Sequence, residues 1–401
     1  MVKLPMFIFY GDSGVIMQKL WTFYILFIEI VLCMYYPMEH VDEGKESSNS
    51  VNGVEANNSP LICGLPDDLS LMCLARVPRK YHSVLKCVSK GWRDLICSEE
   101  WYFYRLKHKL DETWIYALCR DKLNEIFCYV LDPTASRRYW KLIDGFPPHI
   151  SKRKGVGFEA LGNKLFFLGG CSWLIDATDE VCSYHASSYC WDKGASMSTA
   201  RCYFACEVLD KKLYAIGGLV SNSSDHSWDT FDPLTNCWTL HTDPNIGSVS
   251  SEIEDSVVLD GKIYVRYIRD PITPHVFAVV YEPSSGTWQY ADDDMVSGWT
   301  GPAVVVDGTL YVLDQSLGTR LMMWHKERRQ WIPVGKLSPL LTKPPCQLVA
   351  VGKSIFIIGK TLSTVVVDVG DLGNEGQVMM SSSIPELLPD FNVISCKCLS
   401  I

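Results

Sequence analysis

The chain is short of positive charge. Its 37 Lys and Arg stand against 46 Asp and Glu, a formal net charge of −9 over 401 residues. A nucleic-acid surface needs clustered cations to neutralise phosphates, so that class of partner is not expected. The short signatures of catalysis are missing as well. There is no nucleophile elbow, P-loop or dinucleotide fingerprint. The nine histidines are scattered, with His149, His185, His226, His241, His275 and His325 falling singly and without metal-ligand spacing. Asp292, Asp293 and Asp294 read as a solvated loop tip rather than a cation site. The sequence therefore predicts neither catalysis nor a cofactor nor a metal.

A disulfide framework is missing too. The 16 cysteines are spread along a chain long enough to build its core without bridges. Cys202 and Cys206 lie in a strand-like run, and Cys396 and Cys398 lack a second ligand pair at zinc spacing. All read as reduced thiols packed as small hydrophobes. That suits a cytoplasmic or nuclear location.

Long apolar runs are confined to one place, residues 20–36 (LWTFYILFIEIVLCMYY). The run is at the lower length limit for a membrane span. Glu29 sits near its middle, where a carboxylate is costly in lipid. Three readings stay open for residues 1–37: a membrane anchor, a buried or interfacial helix, or an extension upstream of a natural start at Met38. The third is favoured. Residues 38–60 are polar and acidic and read as a disordered linker.

What the chain does have is a period. Five apolar-aromatic pairs, Leu165-Phe166, Leu213-Tyr214, Ile263-Tyr264, Leu310-Tyr311 and Ile355-Phe356, recur at spacings of 48, 50, 47 and 45. Trp140, Trp191, Trp238, Trp288 and Trp331 recur at 51, 47, 50 and 43, in the same phase. Such a period is the length of a four-stranded propeller blade, and a unit that cannot bury its face alone must stack in a ring. Within one unit, RCYFACEVL reads as an inner strand and KLYAIGG as the second, ending at Gly217-Gly218. WDTFDPLTNCWTL supplies the third and fourth. Trp238, on the last strand, is expected to pack against the next blade. Full units span about residues 155–195, 202–241, 250–290, 302–333 and 346–381. Residues 113–143 hold three strands and 391–399 one more. Six blades follow if the C-terminal strand completes the first blade and so removes both sheet edges. Five blades with a disordered tail is the alternative.

Before the ring, residues 65–105 read as two or three short helices. Asp67 or Asp68 serves as a cap, and Tyr81, Leu85, Val88 and Trp92 recur at helical spacing. So small a piece has a marginal core, and its surplus apolar residues suggest a partner's groove.

Two resemblances sharpen this reading. Leu65, Pro66 and Leu69, then Leu74, Val77 and Pro78, then Leu85, Val88, Ser89, Lys90, Trp92 and Leu95 resemble an F-box, here placed at 61–106. MSTARCYFACEVLDKKLYAIGG, completed by FDPLTNCW, resembles a kelch motif, and the likeness extends over about 113–399. The chain thus resembles plant F-box/kelch-repeat proteins. The resemblance implies a mainly β protein, a kelch-type propeller preceded by a small all-α F-box. It also implies a non-catalytic substrate receptor of a Skp-cullin-F-box ubiquitin ligase. Leu65, Pro66, Leu69, Leu74, Val77, Pro78 and Leu85 would then contact the Skp-type adaptor, with Trp92 in the core. A target protein would bind the long loops between second and third strands and between blades, which share one face. Trp173, Arg201, Arg269 and Trp299 are the expected contacts, because Trp and Arg dominate hot spots. The alternatives are a propeller scaffold whose helices only brace it, and a membrane-anchored binding protein.

Overall fold

A computed structural model of the chain describes residues 60–174, 176–220, 227–242, 252–268, 276–316, 318–370, 380–384 and 390–401. The apolar run 20–36 and most of the acidic linker lie outside them. The chain divides into two compact units, Met1–Glu112 and Thr113–Ile401.

The described part of the first unit is helical: α1 (Asp67–Ala75), a 3-10 turn (Arg79–Tyr81), α2 (His82–Leu85), α3 (Lys90–Cys97) and α4 (Glu99–Lys107). Serines set the last two boundaries. Ser89 Oγ accepts from Trp92 N (3.1 Å) at the start of α3, and Ser98 Oγ from Trp101 N (3.1 Å) at the start of α4. The expected aspartate cap is not used. Pro66 occupies the N-cap of α1, and Asp67 and Asp68 lie in its first turn, where the helix dipole favours carboxylates. Leu74, Ala75, Val77, Leu85, Ile96 and Trp101 form the core. Buried Arg105 ties it together. Its guanidinium donates to the carbonyls of Ala75 and Val77, left open where α1 ends, and pairs with Glu112 at 3.1 Å. Glu112 also accepts from Arg79 N at 2.6 Å.

The second unit is a six-bladed propeller of four-stranded antiparallel sheets. Blades two to six take their strands in chain order. Their innermost strands are Gly157–Leu161, Ala205–Leu209, Glu252–Leu259, Ala303–Val306 and Gln347–Val351. Blade one is composite. Its innermost strand is Phe391–Ser400, paired with Thr113–Asp121, then Ile126–Leu131 and Lys141–Leu142. The register runs from Thr113 opposite Ser400 to Asp121 opposite Phe391, with a bulge at Leu118/Cys119. The six innermost strands touch one another in a closed cycle, and the expected closure by the C-terminal strand holds.

The run RCYFACEVL is not one strand. Tyr203 takes a positive φ of 55°, which separates Arg201–Cys202 from Ala205–Leu209. Arg201–Cys202 pairs instead with Leu219–Val220. Gly169 and Gly218 make room for this backbone. Gly218 has φ +83°, and a Cβ there would lie 2.6 Å from Cys202 O.

The periodic tryptophans correct one expectation. They reach back to the preceding blade, not forward to the next. Trp238 donates from Nε1 to Ala195 O (2.8 Å) in the linker from blade two, and it joins the core cluster containing Leu168 and Val181. Trp331 does the same at Met295 O (3.1 Å), and Trp191 at Asp144 O (3.4 Å). Trp140 of blade one donates to Thr364 Oγ1 (3.3 Å) of blade six. In these four the indole fills the seam while its N–H holds a neighbouring strand or linker, whereas Trp288 packs against Trp228 by ring contact alone.

His82 gives the helical unit a pH dependence. It is buried, meets the Trp101 ring edge-on at 5.5 Å, and its Nε2–H donates to Val77 O (3.2 Å). Burial, reinforced by the Arg105 charge, pulls its pKa down to about 3, so the folded ring is neutral. In the unfolded chain it takes a proton near pH ~6.5. Its contribution is therefore intact above that pH and lost as pH falls towards 3, at no more than about 1.4 kcal/mol per pH unit. Amide protection across residues 67–107 should fall between about pH 6.5 and 5 once the slowing of intrinsic exchange with falling pH is divided out. His82→Gln should flatten that response, and an unchanged response would assign it to other groups.

Candidate recognition surfaces

On the helical unit, the structure sorts the expected adaptor contacts into two groups. Pro66 and Leu69 are exposed, Leu69 by 41%, and Leu65 and Pro78 are half-buried. Leu74, Val77 and Leu85 are fully covered by the unit's own core. Those three are corrected from contacts to framework, because a covered side chain meets no partner while its core stays intact. Trp92 is half-buried, its Nε1 donating to Leu61 O (2.6 Å). Sequence reasoning missed Phe103 and Leu106, both exposed on α4. The signal was present. Trp101 and Arg105 are buried four residues apart, which turns Phe103 and Leu106 to other sides of the helix.

On the propeller, loops joining second to third strands and linkers joining blades emerge on one face. Trp173, in the 169–180 loop of blade two, is 92% exposed, and Leu174 is 96% exposed. Lys154 Nζ stands 5.3 Å from the Trp173 ring centroid. Leu219 and Tyr203, also exposed, belong to the same face. Arg269 lies outside the described residues.

Arg201 and Trp299 are corrected. Both are buried struts. Arg201 Nε pairs with Asp229 Oδ2 (3.0 Å), Nη1 donates to the carbonyls of Gly217 (3.0 Å) and Ser227 (2.9 Å), and Nη2 to Ser227 Oγ (2.9 Å). Its own carbonyl accepts from Gly170 N at 2.8 Å. One residue thus fastens the loop bases of blades two and three. Trp299 Nε1 donates to Asp255 Oδ2 (3.0 Å), which also accepts from Ala303 N (2.9 Å). Asp292 caps α6 (Asp293–Gly298), and Arg329 pairs with Asp292 (2.8 Å) and Asp294 (2.9 Å), so this acidic run is a helix start partly offset by one arginine rather than a loop tip.

A central cavity of about 650 Å³ is lined by the innermost strands. Lys397 of the closing strand pairs there with Glu159 of blade two and lies 4.0 Å from Glu207 of blade three. Ser256 Oγ donates to Glu207 Oε1 (2.6 Å). Burial pushes Glu207 up to about 7 and Asp255 up to about 6, although Lys397 and Arg266 pull the other way.

The model of the FKB95, Kelch-repeats domain matches residues 115–360, and that of the F-box domain matches 62–104. F-box/kelch-repeat protein SKIP4 of Arabidopsis thaliana is 52% identical over 347 residues, covering 85% of this chain and 94% of that protein. F-box/kelch-repeat protein SKIP30 of the same plant is 28% identical over 313 residues, covering 75% and 83%. The chain belongs to the plant F-box/kelch-repeat family. The F-box match coincides with the helices. The kelch match stops before the closing strand Phe391–Ser400, so the structure, not the kelch match, identifies the sixth inner strand of this F-box/kelch-repeat protein. Among the described residues, no helix is long and apolar enough to cross a membrane.

Lys397→Met should strand Glu159 and Glu207 at the closure and lower propeller stability by about 3 kcal/mol, the low end for breaking a buried pair. Arg201→Lys should destabilise as well, because one ammonium cannot reproduce the guanidinium fork. Denaturant unfolding of each variant measures both. Wild-type midpoints would show that neither ion pair braces the ring.

Proposed function

We propose that this chain is the substrate-recognition subunit of a Skp-cullin-F-box ubiquitin ligase. The observation that carries the reading is the pairing, in one chain, of an F-box with exposed apolar residues and a closed propeller with an exposed aromatic loop. Leu65, Pro66, Leu69 and Pro78 bind the Skp-type adaptor, joined by Phe103 and Leu106. Leu74, Val77 and Leu85 support them from beneath. Trp173 and Leu174 anchor a target protein, supplying apolar area that solvent now covers.

The mechanism is proximity. The propeller holds a target near the ubiquitin-conjugating enzyme and raises the effective concentration of its lysines. The chain itself makes and breaks no bond. It works in the cytoplasm, the nucleus or both, where thiols stay reduced, and every described cysteine is free.

The test is binding of purified Skp-type adaptor to the full chain. Leu69→Asp, on an exposed position, should weaken binding at least tenfold without changing the unfolding midpoint. Leu74→Ala should instead lower stability by about 3 kcal/mol through a core cavity. Absence of adaptor binding by the folded wild type would overturn the proposal and leave a propeller that acts as a scaffold.

A further inference from the structure

The sequence holds no metal-ligand spacing, yet the fold builds a ligand set. His149 lies in α5 (Pro148–Ser151), on the linker from blade one to blade two. Glu180 directly precedes, and Cys182 lies in, the third strand of blade two (Val181–His185), two residues apart along extended chain and so on one side. Their ligand atoms all lie within 4.8 Å of one another. Cys182 Sγ is 3.6 Å from His149 Nε2, and His149 Nε2 is 3.4 Å from Glu180 Oε1.

Those distances can be compared with coordination geometry. Tetrahedral zinc bound at about 2.3 Å to sulfur, about 2.05 Å to nitrogen and about 2.0 Å to oxygen requires ligand atoms roughly 3.3–3.6 Å apart. The two measured separations fall there without rearrangement. The donor set of thiol, imidazole and carboxylate is a zinc set in type as well. We propose that His149, Glu180 and Cys182 bind one zinc ion, with the fourth position open to solvent.

The surroundings fit. Arg153 pairs with Glu180 through Oε2, which leaves Oε1 turned to His149 and fixes the carboxylate plane. Orienting a ligand in this way is the usual task of residues behind a metal's direct ligands. Arg153 also donates to Gly169 O at 3.3 Å, and it opposes the cation's charge, so the site is weaker than a four-ligand structural one. His149 is 52% exposed, which gives an ion and a water molecule access. The buried Cys182 supplies the inner ligand.

The position gives the ion a task. The loop holding Trp173 and Leu174 is already clasped to the same linker by Lys154 N to Cys171 O (2.7 Å) and Cys171 N to Lys154 O (2.9 Å). Zinc would add a second clasp at the other end of that loop, between linker and strand. It would stiffen the exposed Trp173 loop. This inference rests on coordination geometry and does not depend on the ligase reading.

The probe is Co2+ added to the full, reduced, metal-free chain. The expected result is one ion per chain with the visible bands of tetrahedral cobalt and a thiolate charge-transfer band, all displaced by Zn2+. His149→Ala, a change at an exposed position that leaves every cysteine in place, should weaken binding at least tenfold. Cys182→Ser should abolish the charge-transfer band. Zn2+ should also slow proteolysis within residues 171–180 in the wild type and not in His149→Ala. Spectra that are the same for wild type and His149→Ala, or a charge-transfer band that survives Cys182→Ser, would overturn the proposal.

Discussion

The pairing of Thr113–Asp121 with Phe391–Ser400 is the constraint on which the propeller depends. No blade owns a complete core. The apolar clusters lie at seams, and the seam between blades six and one contains Phe391, Val393 and Cys396 from the closing strand. Without that strand, blade one loses its innermost member, and the faces of blades two and six towards it lose their cover. The hydrogen bond between Thr113 and Ser400 hydroxyls spans 287 residues. Contacts this distant in sequence are formed only after a large loop entropy has been met, so the ring closes late and slowly. The helical unit, made of local contacts and synthesised first, has no such delay.

Closure also explains why two series of residues repeat in one phase. The apolar-aromatic pair on each second strand serves two seams, its apolar residue facing the preceding blade and its aromatic the following one. The tryptophans of blades one to five fill the seam towards the preceding blade, and Trp140, Trp191, Trp238 and Trp331 also hydrogen-bond what comes before them. Each indole reaches back, so a blade is finished by the blade that follows. Blade one is finished only when Trp140 meets blade six. A linear array would leave its last blade unfinished, whereas a ring leaves none.

This is why the fold was legible and the surfaces less so. Period, strand content and the spare strand at 391–399 all report burial, and burial is what residue patterns encode. The F-box pattern names Leu69 and Leu74 alike, but five residues on a helix place them on different sides, one exposed and one covered. Arg201 and Trp173 are both residue types that favour hot spots. Only the structure shows that Arg201 finds Asp229 inside while Trp173 stands exposed with Lys154 beside its ring. His149 is 31 residues from Glu180 in sequence, a separation no motif records, and the stacking of blade two on the linker from blade one brings them together.

The buried charges of the two units respond to pH with opposite sign. His82 is held neutral, so the helical unit weakens as pH falls below about 6.5. Glu207 and Asp255 are held above the ordinary carboxylate range, at about 7 and about 6, because the cavity desolvates them. Their folded forms bind protons that the unfolded chain releases near pH ~4. That contribution is complete below the unfolded values and is lost as pH rises through 6 and 7. Lys397 limits the loss by facing Glu159 and Glu207 from the closing strand. Mild acid therefore loosens the helices while it discharges the desolvated carboxylates at the ring's axis. Amide protection resolved by unit should show opposite pH trends between about pH 5 and 7, and parallel trends would mean that other groups govern one of the units.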